Sequence, residues 1–253
     1  LKEEYKKGAF GKITGAVGNE ERWAARGNYN RFNTKEQFSV IAYGNNINQT
    51  GVNWEDYGEF KGQNTFGDFD NGDFGFGGGR AFYIGGDDSD VPFNNFDGRG
   101  FTENFGSGVN YNFDNKKSKF NASYFYNQTE LTLNQTAFRQ TFLQDSTFTN
   151  TDTTSRLDFR SNHSISTRFE QELDSNDVLI VKANTRFSHN DATYMQSQFF
   201  TDNNDRPSNN LLIDNGTLLD SWRLSGSAIF RQKKKKKGRS IAASAGYNSS
   251  KSD

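Results

Sequence analysis

Apolar and polar side chains alternate along most of this chain. From Arg156 the odd positions carry Leu157, Phe159, Ile165 and Phe169, with Ser161, His163 and Thr167 among them. The even positions carry Arg156, Asp158, Arg160, Asn162, Ser164, Ser166, Arg168, Glu170 and Glu172. Successive side chains of an extended strand point to opposite faces, so one face is largely apolar and the other polar. The same rhythm sets Leu179, Val181, Ala183 and Phe187 against Lys182, Asn184, Arg186 and Ser188. It then sets Leu218, Trp222, Leu224, Ala228 and Phe230 against Ser221, Arg223, Ser225, Ser227 and Arg231, and Ile241, Ala243, Ala245 and Tyr247 against Ser240, Ser244 and Asn248. Upstream, Trp23, Ala25, Gly27 and Tyr29 share a face, as do Phe38, Val40 and Ala42, then Phe105, Val109, Tyr111 and Phe113, then Phe120, Ala122, Tyr124 and Tyr126. No window carries the i, i+3, i+4, i+7 stripe of an amphipathic helix. The pattern predicts nine strands, near residues 9–18, 21–32, 36–47, 102–113, 119–131, 154–173, 177–194, 217–232 and 239–250.

The connections sort by length. Asn33-Thr34-Lys35, Asp114 to Ser118, Asp174 to Asn176 and Lys233 to Gly238 read as short polar turns, and the stretches at 48–101, 132–153 and 195–216 read as long links. In an up-and-down sheet all short turns then fall at one end and all long links at the other, the asymmetry of transmembrane β-barrels. Three alternations also arise by chance in a soluble sandwich. Phe38, Phe113, Phe120 and Phe230 lie on the apolar faces close to the short turns, where an outer-membrane barrel carries an aromatic girdle. The plainer reading is that Phe packs a soluble core. The fold class expected is all-β: an antiparallel up-and-down transmembrane β-barrel fragment of about nine long strands, open or incompletely closed.

Composition narrows the classes. Only 32% of the 253 residues are hydrophobic, yet 15% are aromatic, with 25 Phe, and the formal charge is −1. Many aromatics and near-zero charge argue for a folded chain rather than a disordered one. No apolar run approaches the ~18 residues of a membrane-spanning helix. Zero Cys removes disulfide scaffolds and thiolate chemistry. Balanced charge gives no general pull toward nucleic acid, and none is expected as a partner. The opening LKEEYKKGAF has no apolar core of a secretory leader, so an exported chain would be a slice of something longer.

Residues 8–50, GAFGKITGAVGNEERWAARGNYNRFNTKEQFSVIAYGNNINQT, resemble the first barrel strands of TonB-dependent receptor-like outer-membrane proteins. Residues 1–8 look like the tail of the plug-to-barrel junction. The Gly/Phe-rich stretch at 67–86 and the segment FGSGVNYNFDNKKSKFNASYFYN at 105–127 continue the likeness, which covers roughly residues 1–130; beyond that only the pattern carries it. The resemblance implies a bacterial outer-membrane location, with contacts to outer-membrane lipid. Further partners would be a plug domain, the remaining barrel strands and a TonB-type periplasmic coupling protein. It also implies ligand binding at extracellular loops and import through the lumen. The chain departs from the family in showing no plug, no coupling box and no terminal aromatic signal. It is therefore expected to be a single partial barrel, 1–253, from the N-terminal side of a larger one. The alternative is a structural or adhesive outer-membrane barrel without active transport.

Candidate chemistry is sparse. The long link at 48–101, expected to be extracellular, gathers aromatics among Gly, Asn and Asp, and Trp54, Tyr57, Phe74, Phe76, Phe82 and Tyr83 are the candidate ligand contacts. Asp68, Asp70, Asn71 and Asp73 miss the EF-hand register, because Gly72 and Asp73 stand where Asp/Asn and Gly belong. Gly75, Gly77, Gly78 and Gly79 form no phosphate loop, so no metal and no cofactor is expected. His163 and Ser164 point to opposite faces and cannot act as base and nucleophile. His189 has no evident partner, and no catalytic residue is assigned and no enzyme expected. The run Lys233 to Lys237 reads as a solvated hairpin tip. Arg156, Arg160, Arg168, Arg186, Arg223 and Arg231 on the polar faces either line a lumen or are solvated in pairs with Asp158, Glu170 and Glu172.

Overall fold

The computed structural model describes residues 7–49, 99–115, 117–142, 144, 147–202, 206–234 and 239–253. They form β1 (Gly8–Val17), β2 (Trp23–Phe32), β3 (Glu36–Asn45), β4 (Phe101–Asp114), β5 (Ser118–Phe142), β6 (Thr147–Glu172), β7 (Asp177–Thr201), β8 (Pro207–Lys233) and β9 (Ser240–Ser252). All nine pair antiparallel in one sheet of order β1 to β9, each strand beside its neighbour in sequence. β1 and β9 stand at the two ends of that order, so the sheet is not closed. The fold is an open up-and-down sheet of barrel type.

Three of the short turns, all at one end of the sheet, are built alike. The Oδ1 of Asn33 accepts from the backbone N–H groups of Lys35 and Glu36 at 2.8 Å each. The Oδ1 of Asn115 does the same for Lys117 and Ser118, and that of Asp174 for Asn176 and Asp177. A short acceptor side chain thus folds back on the backbone two and three residues ahead and reverses the chain. The β1–β2 turn at the other end works differently. Arg22 N–H donates to the Asn19 carbonyl at 3.2 Å, and both central residues, Glu20 and Glu21, adopt positive φ of 55° and 59°. That is the mirror-image turn whose twist matches a hairpin, made here without glycine.

Two of the three expected long links are strand instead. β5 and β6 stay paired from Ser118↔Gln171 out to Phe142↔Thr147, through the stretch read as a link at 132–153. β7 and β8 likewise run through 195–216, leaving only residues 202–206 between them. These stretches are rich in Thr, Asn, Gln and Ser, so they show little apolar contrast. The backbone ladder does not need that contrast to continue. The asymmetry of the sheet survives as length: β5 to β8 each run 25 to 27 residues, about 80 Å at the rise of a strand. Of the junction expected at 1–8, only Lys7 and Gly8 are described, and Gly8 already belongs to β1.

Candidate functional surfaces: an exposed apolar belt and a buried polar face

Cross-strand register decides which side chains share a face, because residues directly opposite point the same way. One row runs Tyr29–Val40–Val109–Tyr124–Ile165–Thr185–Leu224 across seven strands. Toward the short turns lies Phe113–Phe120–Phe169–Val181–Ala228–Ala245. Away from them lies Ala42–Ser107–Tyr126–His163–Phe187–Trp222. The apolar faces of the separate strands therefore join into one continuous belt. It is exposed: Val109, Tyr124, Ile165, Val181 and Phe187 are among the exposed large hydrophobics. On β7 and β8 it covers residues 179–187 and 222–230, about nine residues, the length of a bilayer-crossing strand.

Aromatics gather at both margins of the belt. Phe38, Phe113, Phe120, Phe169 and Phe230 lie toward the short turns, and Phe105, Tyr126, Phe187 and Trp222 toward the long ends, with Val40, Val109, Ile165 and Leu224 between, alongside Tyr29, Tyr124 and Thr185. The four Phe residues singled out from sequence all share this outer face.

The opposite face is polar, and its buried residues are concentrated on β3 to β5. A row of small amides and hydroxyls, Asn30–Ser39–Asn110–Ser123–Ser166–Asn184–Ser225–Asn248, crosses eight strands. Ser39 and Asn110 are 0% exposed and Asn30 1%. A single sheet has no second layer to cover a face, so burial restricted to one side marks the inside of its curl. Side chains there satisfy one another: Asn121 Nδ2 donates to Asn110 and Asn112, Asn112 Nδ2 donates to Gln37, and the Ser123 and Ser166 hydroxyls meet at 2.6 Å. Among the described residues, the buried apolar ones on this face are Ile41, Tyr43, Phe125 and Ile180. Tyr43 stacks on Phe125, ring centroids 6.5 Å apart, across the glycines of β4. A Cβ on Gly106 would lie 2.5 Å from the Tyr43 ring, so only glycine lets that ring lie flat on the sheet. The Asn30 amide and the Tyr43 hydroxyl have no hydrogen-bond partner among the described residues.

All six arginines named from the sequence lie on this inner face. Asp158, 4% exposed, is gripped by Arg156 and Arg160 at 2.7 Å each, and Arg168 reaches Glu170 at 3.1 Å. Pairing with Asp158 and Glu170 and lining the inner face therefore hold together. Arg168 stands opposite Lys182, and Arg186 opposite Arg223, which makes the inner face of β6 to β8 basic.

Both histidines have partners. His163 is on the outer face, opposite in facing to the buried Ser164, as expected; its Nδ1 lies 2.8 Å from the Tyr124 hydroxyl, and its ring packs 4.7 Å from that of Tyr126. His189 was expected to lack a partner, and this is corrected. β7 continues past it, and its Nδ1 lies 2.7 Å from Asp220 Oδ1 on β8. Strand pairing supplies that contact, and 31 residues separate the two in sequence. The candidate ligand contacts Trp54, Tyr57, Phe74, Phe76, Phe82 and Tyr83 lie outside the described residues, as does most of the link at 48–101. Among the described residues no group of His, Asp and Glu is arranged to hold a metal.

Fold and surfaces together define an inside-out sheet of barrel type, apolar outside and polar within. No family model matches the chain, and no curated protein matches it.

Proposed function

We propose that the chain is a section of the wall of a bacterial outer-membrane β-barrel that serves as a receptor and transporter. One observation carries this reading: the exposed face is the apolar one, in a belt about nine residues deep with aromatics at both margins. In water such a belt is a standing liability; against lipid it is the stable arrangement. The buried, hydrogen-bonded inner face suits contact with water, solute or an inner plug. Its basic stretch at Arg168, Lys182, Arg186 and Arg223 favours anionic cargo or an acidic inner segment. The hairpins of β5 to β8 extend well beyond the belt and, with the segment at 48–101, supply surface for ligand capture. Energy coupling through a TonB-type periplasmic protein follows from the resemblance at residues 8–50.

Trp222 in the outer margin offers the test. When the chain is refolded with vesicles containing dibrominated lipid, Trp222 fluorescence is quenched; a Trp222→Phe variant separates its signal from those of Trp23 and Trp54. A monodisperse chain in detergent-free buffer with no lipid quenching would overturn the membrane reading. Transport is tested in a receptor that carries this wall. Deleting residues 50–98 abolishes uptake while heat-modifiability on a gel stays intact, and unchanged uptake would count against the ligand contacts at Trp54, Tyr57, Phe74, Phe76, Phe82 and Tyr83.

A further inference from the structure

The outer-face row immediately beyond the belt reads Gln128–Ser161–His189–Asp220, one residue from each of β5, β6, β7 and β8, every neighbouring pair directly opposite in the register. We propose that this row is a serine acyl-hydrolase site that cleaves the acyl esters of membrane glycerolipids.

The parts occur in working order. Asp220 is an acceptor only, so the 2.7 Å contact with His189 fixes the proton of the imidazole on Nδ1. Nε2 is then the unprotonated nitrogen. Ser161 stands directly opposite His189 on β6, the strand on the side of β7 away from Asp220. Cβ atoms of directly opposite residues lie about 4.5–5.5 Å apart, which puts the serine hydroxyl within one side-chain rotation of Nε2. That hydroxyl makes no hydrogen bond among the described residues, so nothing holds it away, and such contacts commonly tighten only when substrate is bound. Phe159 packs 6.1 Å from the His189 ring and limits its swing. On the other side of Ser161, Gln128 Oε1 accepts from the Tyr126 hydroxyl at 2.7 Å, which leaves the Gln128 NH2 group to donate to an oxyanion.

Position selects the substrate, and here the proposal rests on the lipid-facing reading of the belt. The row lies two residues beyond Tyr126, His163, Phe187 and Trp222 on their respective strands, at the margin of the apolar surface. A glycerolipid with its acyl chain along Leu224 and Ile165 carries its ester carbonyl at that boundary, next to Ser161. A soluble ester has no such reason to be held there.

The chemistry balances without a further reactant except water. Ser161 Oγ bonds to the ester carbonyl carbon while its proton passes to His189 Nε2, and Gln128 Nε2–H stabilises the oxyanion. The carbonyl carbon then loses the glyceryl oxygen, which takes the proton from His189 and leaves as a lysolipid hydroxyl. Water, giving a proton to the same Nε2, attacks the acyl-serine; the carbon–Oγ bond breaks, Oγ regains the proton, and a fatty acid departs. Ser161, His189 and Gln128 touch reacting atoms. Asp220 is a positioning residue.

The test uses the full chain refolded into phosphatidylethanolamine/phosphatidylglycerol vesicles, with insertion read separately by brominated-lipid quenching of Trp222. A fluorophosphonate probe should phosphonylate Ser161 with loss of fluoride, seen by intact mass and peptide mapping, and fatty acid should be released. Ser161→Ala and His189→Gln should lose both signals with insertion unchanged. Gln128→Leu should lower kcat about 100- to 1,000-fold, the usual effect of removing one oxyanion donor. Asp220→Asn should lower kcat with KM held, and Asp220→Glu should recover part of the loss; a purely structural role would not produce that split. An inserted chain with neither labelling nor release above the Ser161→Ala background overturns the site. Ser161-dependent cleavage of p-nitrophenyl butyrate by a chain that does not insert upholds the site and overturns its lipid substrate. Labelling elsewhere than Ser161 overturns the assignment of the nucleophile.

Discussion

β7 holds two regions of different design in one strand. Over residues 179–187 its outer face is Leu, Val, Ala, Thr and Phe, and its inner face is Ile180, Lys182, Asn184 and Arg186, with Ile180 fully buried. Beyond His189 the outer face becomes Asp191, Thr193, Met195, Ser197 and Phe199, mixed and broken, although the pairing to β6 and β8 continues without a gap to Phe200. Backbone hydrogen bonding is therefore common to both regions, and the partition of side chains is what separates them. The belt has a continuous apolar outside; the projecting part does not. If lipid surrounds the first and water the second, the same substitution has different consequences in the two.

The sharpest break of the comparison comes from Arg placed on either face of the belt. Leu224 is on the outer face near the middle of the belt, and the next residue, Ser225, is on the inner face opposite Asn184. Leu224→Arg should destabilise the inserted state by about 2–4 kcal/mol, the cost of a cation at the bilayer midplane. Ser225→Arg should change it by less than about 1 kcal/mol, because its side chain faces the polar interior. Urea midpoints in vesicles measure both, and equal sensitivity would mean that the facing is wrong. The matching change in the projection, Leu212→Arg, should be near neutral, since Leu212 is 70% exposed and lies far beyond the belt.

How much of this was legible beforehand follows the same division. In the belt the period-2 contrast is strong, so the faces of Val181, Leu224, Phe230 and the other outward residues were readable from the sequence. In the projection the run from Thr132 to Thr154 is mostly polar, and its apolar residues, among them Leu133, Phe138, Phe142 and Phe148, do not keep to every second position, so a periodicity argument sees no apolar side. Register was also beyond reach. A one-residue slip would put His189 opposite a different residue, and nothing local to His189 specifies Asp220, 31 residues away. The candidate ligand contacts between Trp54 and Tyr83 rested on composition alone.

Glycines give the second comparison. Gly106, in the belt, lies beneath the Tyr43 ring, which is 4% exposed and held against Phe125, so the ring has nowhere to move. Gly106→Val should cost about 1–3 kcal/mol by overpacking. Gly216, in the projecting part of β8, has no atom within 4 Å of where a Cβ would lie. Gly216→Val should be neutral or stabilise by up to about 1 kcal/mol, because it removes a glycine from a strand interior. Loss of stability at Gly216 comparable to that at Gly106 would show that the projection is as tightly packed as the belt.

The smallest effect concerns Asp158, the one well-buried charge among the described residues of the projecting region. Asp158 on the inner face of β6 accepts two bonds from Arg160, at 2.9 and 2.7 Å, and one from Arg156 at 2.7 Å. The carboxylate is 4% exposed, but the Arg156 and Arg160 side chains are 38% and 57% exposed, so water screens the positive partners. A sealed ion pair broken at one end commonly costs about 3–5 kcal/mol; an exposed one contributes about 0–1 kcal/mol. With its cations half in water, this cluster belongs near the lower range. Asp158→Asn should cost about 1 kcal/mol, and the difference from the parent chain should shrink as sodium chloride is raised from 0.05 to about 0.5 M. Amide hydrogen exchange across residues 150–160 and 190–198 should rise in the variant while the belt stays protected. A loss above about 3 kcal/mol with no salt dependence would instead mean that the inner face of the projection excludes water as fully as that of the belt, and the contrast between the two regions would then rest on their outer faces alone.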